Sequence, residues 1–126
     1  ITIIFILIDQ LAKFTATQLD WSIFLNDQFA FSLPLPIAVM YMVYLIVIVS
    51  IAIYLRSTWS RLNNMQRYAW SFVLAGGLSN IVERIILGHV RDFIPIANGM
   101  LNVADFFILI GLLLLLASGR YQEKVS

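Results

Sequence analysis

From Pro36 to Leu55 the chain runs for twenty residues without a charge. At a helical rise of about 1.5 Å per residue this stretch reaches roughly 30 Å, the thickness of the hydrocarbon core of a bilayer. Of the 126 residues, 61% are hydrophobic and only 12% charged, and the mean hydropathy is +0.91. A soluble domain of this size has no interior large enough for so much apolar surface, so lipid is the expected solvent.

Three further segments read as spans. Tyr68 to about Leu87 is apolar with polar residues only in its later half, and Val103 to Ala117 is short but almost wholly aliphatic. The opening segment, Ile1 to about Phe14, is the fourth and reads as cut short at its start. Asp9 and Lys13 interrupt it and no small-residue cleavage site follows, which argues against a signal peptide. An even number of spans puts both termini on one side, and basic residues choose the side. Arg56, Arg61 and Arg67 lie between the second and third spans and Arg120 and Lys124 follow the fourth, so this face is expected to be cytoplasmic. Lys13, Arg84 and Arg91 are left on the outer side with six acids, Asp9, Asp20, Asp27, Glu83, Asp92 and Asp105. Any chemistry is therefore expected at the outer surface.

The connection from Asp20 to Leu35 is long for a helical hairpin. Within it Phe29, Ala30, Phe31, Ser32 and Leu33 alternate large apolar with small residues, as a strand with one covered face does. A small β element between helices 1 and 2 is expected, with Pro34 and Pro36 ending it and starting the second helix. The fold class is thus an all-α membrane protein of four transmembrane helices, and without repeats or linkers residues 1–126 form one domain. The absence of cysteine and the single histidine, His89, leave no thiol chemistry and no all-protein zinc site. No basic stripe is present that could grip nucleic acid, and no cofactor is called for.

Charges beside or within membrane helices are costly unless paired or hydrated, so each needs a reason. Asp9 and Lys13 are spaced i, i+4 with the acid first, the favourable order for an ion pair on one helix face, and a structural pair is the preferred reading. In the third span Gly76, Gly77, Asn80, Glu83 and Arg84 form one stripe, small toward the membrane centre and polar toward the outer end. It reads equally as an internally paired helix end or as the wall of a polar site. Asp105 follows Asn102, Val103 and Ala104, as an acid in the first turn behind an N-cap would, and Asp92 taken alone reads as a solvated loop residue. Together they are two carboxyls thirteen residues apart at the outer ends of consecutive helices, joined by a short loop containing Pro95 and Gly99. Brought face to face they would share a proton, one serving as base on a water while the other polarises a carbonyl. That suffices for peptide hydrolysis without a metal or a covalent intermediate. His89 and the aromatic residues near span ends, such as Trp59, Tyr68, Trp70 and Tyr121, read as surface and interface residues.

In order along the chain, Asp9, Gln10 and Lys13, then Asn26 to Ser32, then Gly76 to Arg84, then Val90 to Phe93, then Leu101 to Asp105 resemble the conserved blocks of the lipoprotein (type II) signal peptidases. The resemblance covers nearly the whole chain. It implies an aspartic endopeptidase of the bacterial cytoplasmic (inner) membrane, active at the extracytoplasmic face. Such enzymes cut the signal peptide of diacylglyceryl-modified prolipoproteins before the lipidated cysteine of the lipobox. It places Asp92 and Asp105 on the catalytic dyad, and Asn26, Asn80 and Arg84 on positions that line the site and hold substrate backbone or dyad. Asn102 falls within the second aspartate's block, and Asp9 and Lys13 on supporting polar positions. It also implies sensitivity to the cyclic peptide globomycin. The sequence departs from the family pattern at Gln28 and Ser79, where glycine is usual, at Glu83 in place of aspartate and at Leu101 in place of phenylalanine. A non-catalytic relative that holds lipopeptides is the alternative that the departures at Gln28 and Glu83 leave open, and a small transporter is disfavoured because the ionisable groups cluster outward rather than at mid-membrane.

Overall fold

The computed structural model describes residues 1–28 and 33–125, with side-chain surroundings as far as residue 119. Four helices dominate it: α1 (Thr2–Gln18), α2 (Ile37–Thr58), α3 (Asn64–Leu87) and α4 (Val103–Val125). A turn of 3₁₀ helix, Trp59–Arg61, follows α2. Four three-residue strands complete it: β1 (Phe24–Asn26), β2 (Val90–Asp92), β3 (Ile94–Ile96) and β4 (Gly99–Leu101). By length and composition α2 and α3 can each cross a membrane, and α4 carries a shorter apolar stretch from Val103 to Gly119.

The polarity of the molecule is inverted. Ile3 and Ile86 are each 72% exposed, whereas Asp9 and Lys13 are wholly buried. In water such a surface would drive aggregation, and in lipid it is the expected outside. With hydrocarbon around it, the fold gains nothing from hiding leucine, so close backbone approach and interior polar bonds hold the helices together. Two glycines on α3 and α4 supply the approach. A side chain at Gly76 would run into the Ala104 carbonyl and Ile108, and one at Gly111 would lie 2.6 Å from both the Ala69 carbonyl and Val73. Phe5 stacks on Phe72 at 4.3 Å and leans on Phe107 at 5.1 Å, which ties α1 to the α3–α4 pair.

The helix α2 stands further off. Among the described residues its links to α3 include a hydrogen bond from the Tyr41 hydroxyl to the Arg84 carbonyl, the Arg84 guanidinium over the Tyr44 ring, and the Tyr54–Trp70 ring contact. An apolar helix with little to distinguish its faces does not dictate how it docks, and a cavity of about 540 Å³ separates it from α3 and α4. The start of α3 is better specified. Asn63 and Gln66 cap it reciprocally, side chain to backbone, at 2.9 and 3.1 Å. Gly88, with φ of 78°, ends it in the left-handed conformation that turns the chain back toward β2.

At this end two antiparallel ribbons form. β1 pairs with β2, matching Phe24 with Asp92, Leu25 with Arg91 and Asn26 with Val90. β3 pairs with β4, matching Ile94 with Leu101. A β element between α1 and α2 is thus present at Phe24–Asn26; of the strand expected at Phe29 to Leu33, residues 29–32 lie outside the described residues.

Candidate active site

The β3–β4 hairpin explains how residues thirteen apart in sequence come to share one cavity. Its register runs on through a hydrogen bond from the Phe93 amide to the Leu101 carbonyl, 3.0 Å, which sets Asp92 beside Asn102. Asp105 lies one helical turn further on, and both carboxyls line the same cavity. Asn102, itself 1% exposed, joins them. Its side-chain amide donates to Asp92 Oδ1 at 2.7 Å, and its backbone N–H to Asp105 Oδ2 at 3.0 Å. The Asp105 N–H returns a bond to Asn102 Oδ1 at 3.1 Å, so the capping arrangement expected of Asn102 and Asp105 is formed. Capping α4 and accepting from Asn80 are therefore two roles of the Asp105 side chain.

Asn80 completes the link. Its oxygen accepts from Lys13 Nζ at 3.0 Å and from Asn102 Nδ2 at 3.1 Å, while its Nδ2 donates to Asp105 Oδ1 at 3.1 Å. An ammonium can only donate, so Lys13 fixes which end of the Asn80 amide faces it and leaves the N–H end for Asp105. On the other side Asn26 Nδ2 donates to Asp92 Oδ2 at 3.2 Å, a diagonal contact across the β1–β2 ribbon. Burial pushes the Asp92 carboxyl up from 3.8 to about 6, and the nearby Asp105 adds to the rise. The hydrogen bonds from Asn102 and Asn26 and the charge of Lys13 act against it. A carboxyl poised there exchanges a proton readily near neutral pH.

Behind this layer sits a buried ionic cluster. The three protons of Lys13 Nζ have three acceptors: Asp9 Oδ2 at 2.7 Å, Glu83 Oε2 at 2.6 Å and Asn80. The i, i+4 pair read from the sequence is present, and it is half of a larger network. Asp9 Oδ1 also accepts from the Ala104 N–H at 2.7 Å, so an acid on α1 satisfies an open donor in the first turn of α4. Glu83 and Arg84 do not pair with one another as an internally satisfied helix end would. Adjacent residues on a helix diverge by about 100°. Glu83 accordingly turns to Lys13 and Arg91, while Arg84 donates to the Gln28 carbonyl at 2.8 and 3.2 Å. Ser79 Oγ donates to Asp9 Oδ2 at 2.6 Å and accepts from Gln10 Nε2 at 2.9 Å. The site roles of Gln10, Ser79 and Arg91 were not read from the sequence. The signal available for Arg91 is the excess of acids over bases among the ionisable residues it is grouped with in the sequence.

The architecture is shared with solved proteins. A bacterial membrane enzyme determined by the in meso method at 2.3 Å resolution is similar in fold, with a TM-score of 0.82 over 97% of this chain and 86% of that one, at 19% identity. A second such enzyme, at 1.9 Å, gives a TM-score of 0.72 over 93% of this chain and 88% of that one, at 19% identity. The sequence profile described as signal peptidase (SPase) II matches residues 1–119. The chain belongs to the signal peptidase II family. Among curated relatives it is 41% identical over 54 residues to a lipoprotein signal peptidase of Caldicellulosiruptor bescii, covering 42% of this chain and 36% of that one. It is 35% identical over 68 residues to one of Nostoc punctiforme, covering 52% and 43%. The chain thus spans about two fifths of the length of these relatives. A lipoprotein signal peptidase of Listeria monocytogenes is 25% identical over 135 residues, covering 92% of this chain and 88% of that one.

Within this signal peptidase II family chain, Asp92, Asp105, Asn26, Asn80, Arg84 and Asn102 all line the cavity, while Asp9 and Lys13 lie behind it in the ionic cluster. Departure from the family pattern at Gln28 carries no backbone strain: among the described non-glycine residues only Asp20 and Ala97 have a positive φ. Gln28 serves through its main chain, its N–H donating to Asn26 Oδ1 at 3.0 Å and its carbonyl receiving Arg84.

Proposed function

We propose that the protein is a membrane-embedded aspartic endopeptidase that removes the signal peptide of diacylglyceryl-modified prolipoproteins, cutting before the lipidated cysteine. The observation that carries this reading is the Asp92–Asp105 pair, held at the polar end of an apolar cavity by amides that bond both carboxyls. In the reaction one aspartate is protonated and the other ionised. The ionised group takes a proton from a water whose oxygen bonds to the scissile carbonyl carbon, while the protonated group hydrogen-bonds the carbonyl oxygen. Collapse of the tetrahedral species breaks the C–N bond, and the proton passes to the leaving nitrogen. No covalent enzyme intermediate forms.

The cavity supports the substrate class. Below the carboxyls it follows α2 from Val43 to Leu55, about 18 Å at the helical rise, with Ile51, Leu109 and Leu112 among its walls. Such a slot suits an apolar signal segment or acyl chain and would repel a soluble peptide. In this reading the four helices cross the bacterial inner membrane with both termini cytoplasmic and the dyad at the extracytoplasmic face, where globomycin would compete with substrate. The test is reconstituted protein with a diacylglyceryl-modified precursor. Cleavage that globomycin blocks, and that is lost in both Asp92→Asn and Asp105→Asn, is expected. Lipopeptide binding without turnover by the parent chain would instead establish a non-catalytic relative.

A further inference from the structure

Arg91 occupies the middle of β2, one residue before Asp92. Successive side chains of a strand face opposite ways, and the burial of Val90 and Asp92 beside a partly exposed Arg91 follows that alternation. Arg91 therefore grips from the back of the ribbon whose front carries the carboxyl. Glu83 Oε1 accepts both its backbone N–H, at 3.1 Å, and its Nε, at 2.6 Å, while Nη2 donates to Gln10 Oε1 at 3.1 Å. One side chain and its own amide thus bind the strand to α3 and α1 together. The other oxygen of Glu83 is already taken by Lys13 at 2.6 Å. Glu83 thus divides its two oxygens between the two cations, Oε2 on Lys13 and Oε1 on Arg91.

We propose that Arg91, clamped by Glu83 and Gln10, is a positioning residue that sets the direction of the Asp92 carboxyl toward Asp105. This inference rests on the peptidase reading and adds to it a residue that never touches substrate. A group that orients one member of a dyad acts on the transition state more than on substrate binding, so the loss should fall on kcat. In Arg91→Met, which keeps the aliphatic stem, kcat should drop on the order of tenfold with KM changed less than about twofold. Arg91→Lys restores the charge but cannot reproduce the forked contact to Glu83 and Gln10, so its kcat should lie between the two. Wild-type kcat in either variant overturns the proposal, as does a loss confined to KM.

The ¹³C carboxyl signal of Asp92, assigned by its disappearance in Asp92→Asn, supplies a readout independent of turnover. It should be single in the parent protein and shifted or split in the Arg91 variants, and superimposable spectra overturn the proposal. A parent protein that cleaves nothing defeats the peptidase reading, while the spectra still decide whether Arg91 orients Asp92.

Discussion

A carboxyl held at a raised pKa lowers the stability of the fold that holds it, and Asp92 makes that cost measurable. Its proton is released at about 6 in the folded protein and near 3.8 in an unfolded chain. Below the lower value the group is neutral in both states and contributes no penalty. Between the two, the unfolded state ionises first, so stability falls as pH rises, and above about 6 the full penalty is present. The gap of about two pK units, at 1.36 kcal/mol each, sets an upper bound of about 3 kcal/mol. Asp92→Asn removes the titration. Part of the gain is offset, because the new amide brings an N–H toward Asn102 and Asn26, both of which now donate to the carboxylate.

The quantity to follow is the difference in thermal midpoint between parent and Asp92→Asn in one detergent, measured from about pH 4 to pH 8. The offset from the mismatched amide is independent of pH, so the change in that difference reports the Asp92 titration together with its coupling to Asp105. The variant should gain on the parent by up to about 3 kcal/mol across the range, roughly 10 °C for a chain of this size, while its peptidase activity is abolished. A midpoint difference that stays flat from pH 4 to pH 8 would refute the claim that burial and Asp105 hold this proton.

Three further outcomes are expected. Asp105→Glu and Asp105→Asn should cost about 1 kcal/mol in stability as cap changes yet remove most turnover, measured by melting and by precursor cleavage; retained turnover would leave Asp105 as a cap alone. Gly76→Ala should destabilise by about 1–3 kcal/mol, because its Cβ meets a backbone carbonyl that cannot yield without moving α4, whereas Gly77→Ala, with open space around it, should be neutral or slightly stabilising in the same melts. Lys13→Met strands Asp9 and Glu83 without their shared ammonium and should cost about 3–5 kcal/mol, seen as a lost or greatly lowered unfolding transition.

The parts of the fold legible in sequence were those set by local pattern. An uninterrupted apolar run marks α2 and a largely apolar one marks α3, although α3 begins four residues before the expected Tyr68, where Asn63 and Gln66 cap it. The i, i+4 spacing gave the Asp9–Lys13 pair, and the Asn102–Asp105 spacing gave the cap. What sequence concealed depends on partners far along the chain. β1 falls at Phe24–Asn26 because β2, some 66 residues on, supplies its edge, and alternation near residue 30 says nothing about that partner. Sequence adjacency sets Glu83 beside Arg84, but which face of α3 meets α1 decides the pairing. The cavity was equally hidden, since α2 is apolar on every side.

The residues that depart from the family pattern bear on whether the site is intact. Ser79 and Glu83 are larger than the glycine and aspartate usual at these positions, and either could have pushed α1 away. Instead the hydroxyl of Ser79 lies between Asp9 and Gln10, and Glu83 divides its two oxygens between Lys13 and Arg91. Asp9, Glu83, Lys13 and Arg91 sum to zero charge, which a buried cluster requires if no member is to neutralise by changing its protonation. That balance needs Arg91. Aspartate at position 83 would be one methylene shorter, and glutamate without Arg91 would leave an excess negative charge behind Asp92 and Asp105. The departures are thus accommodated as members of the polar network, and they leave Asn80 and Asn102 free to aim their amides at the two aspartates.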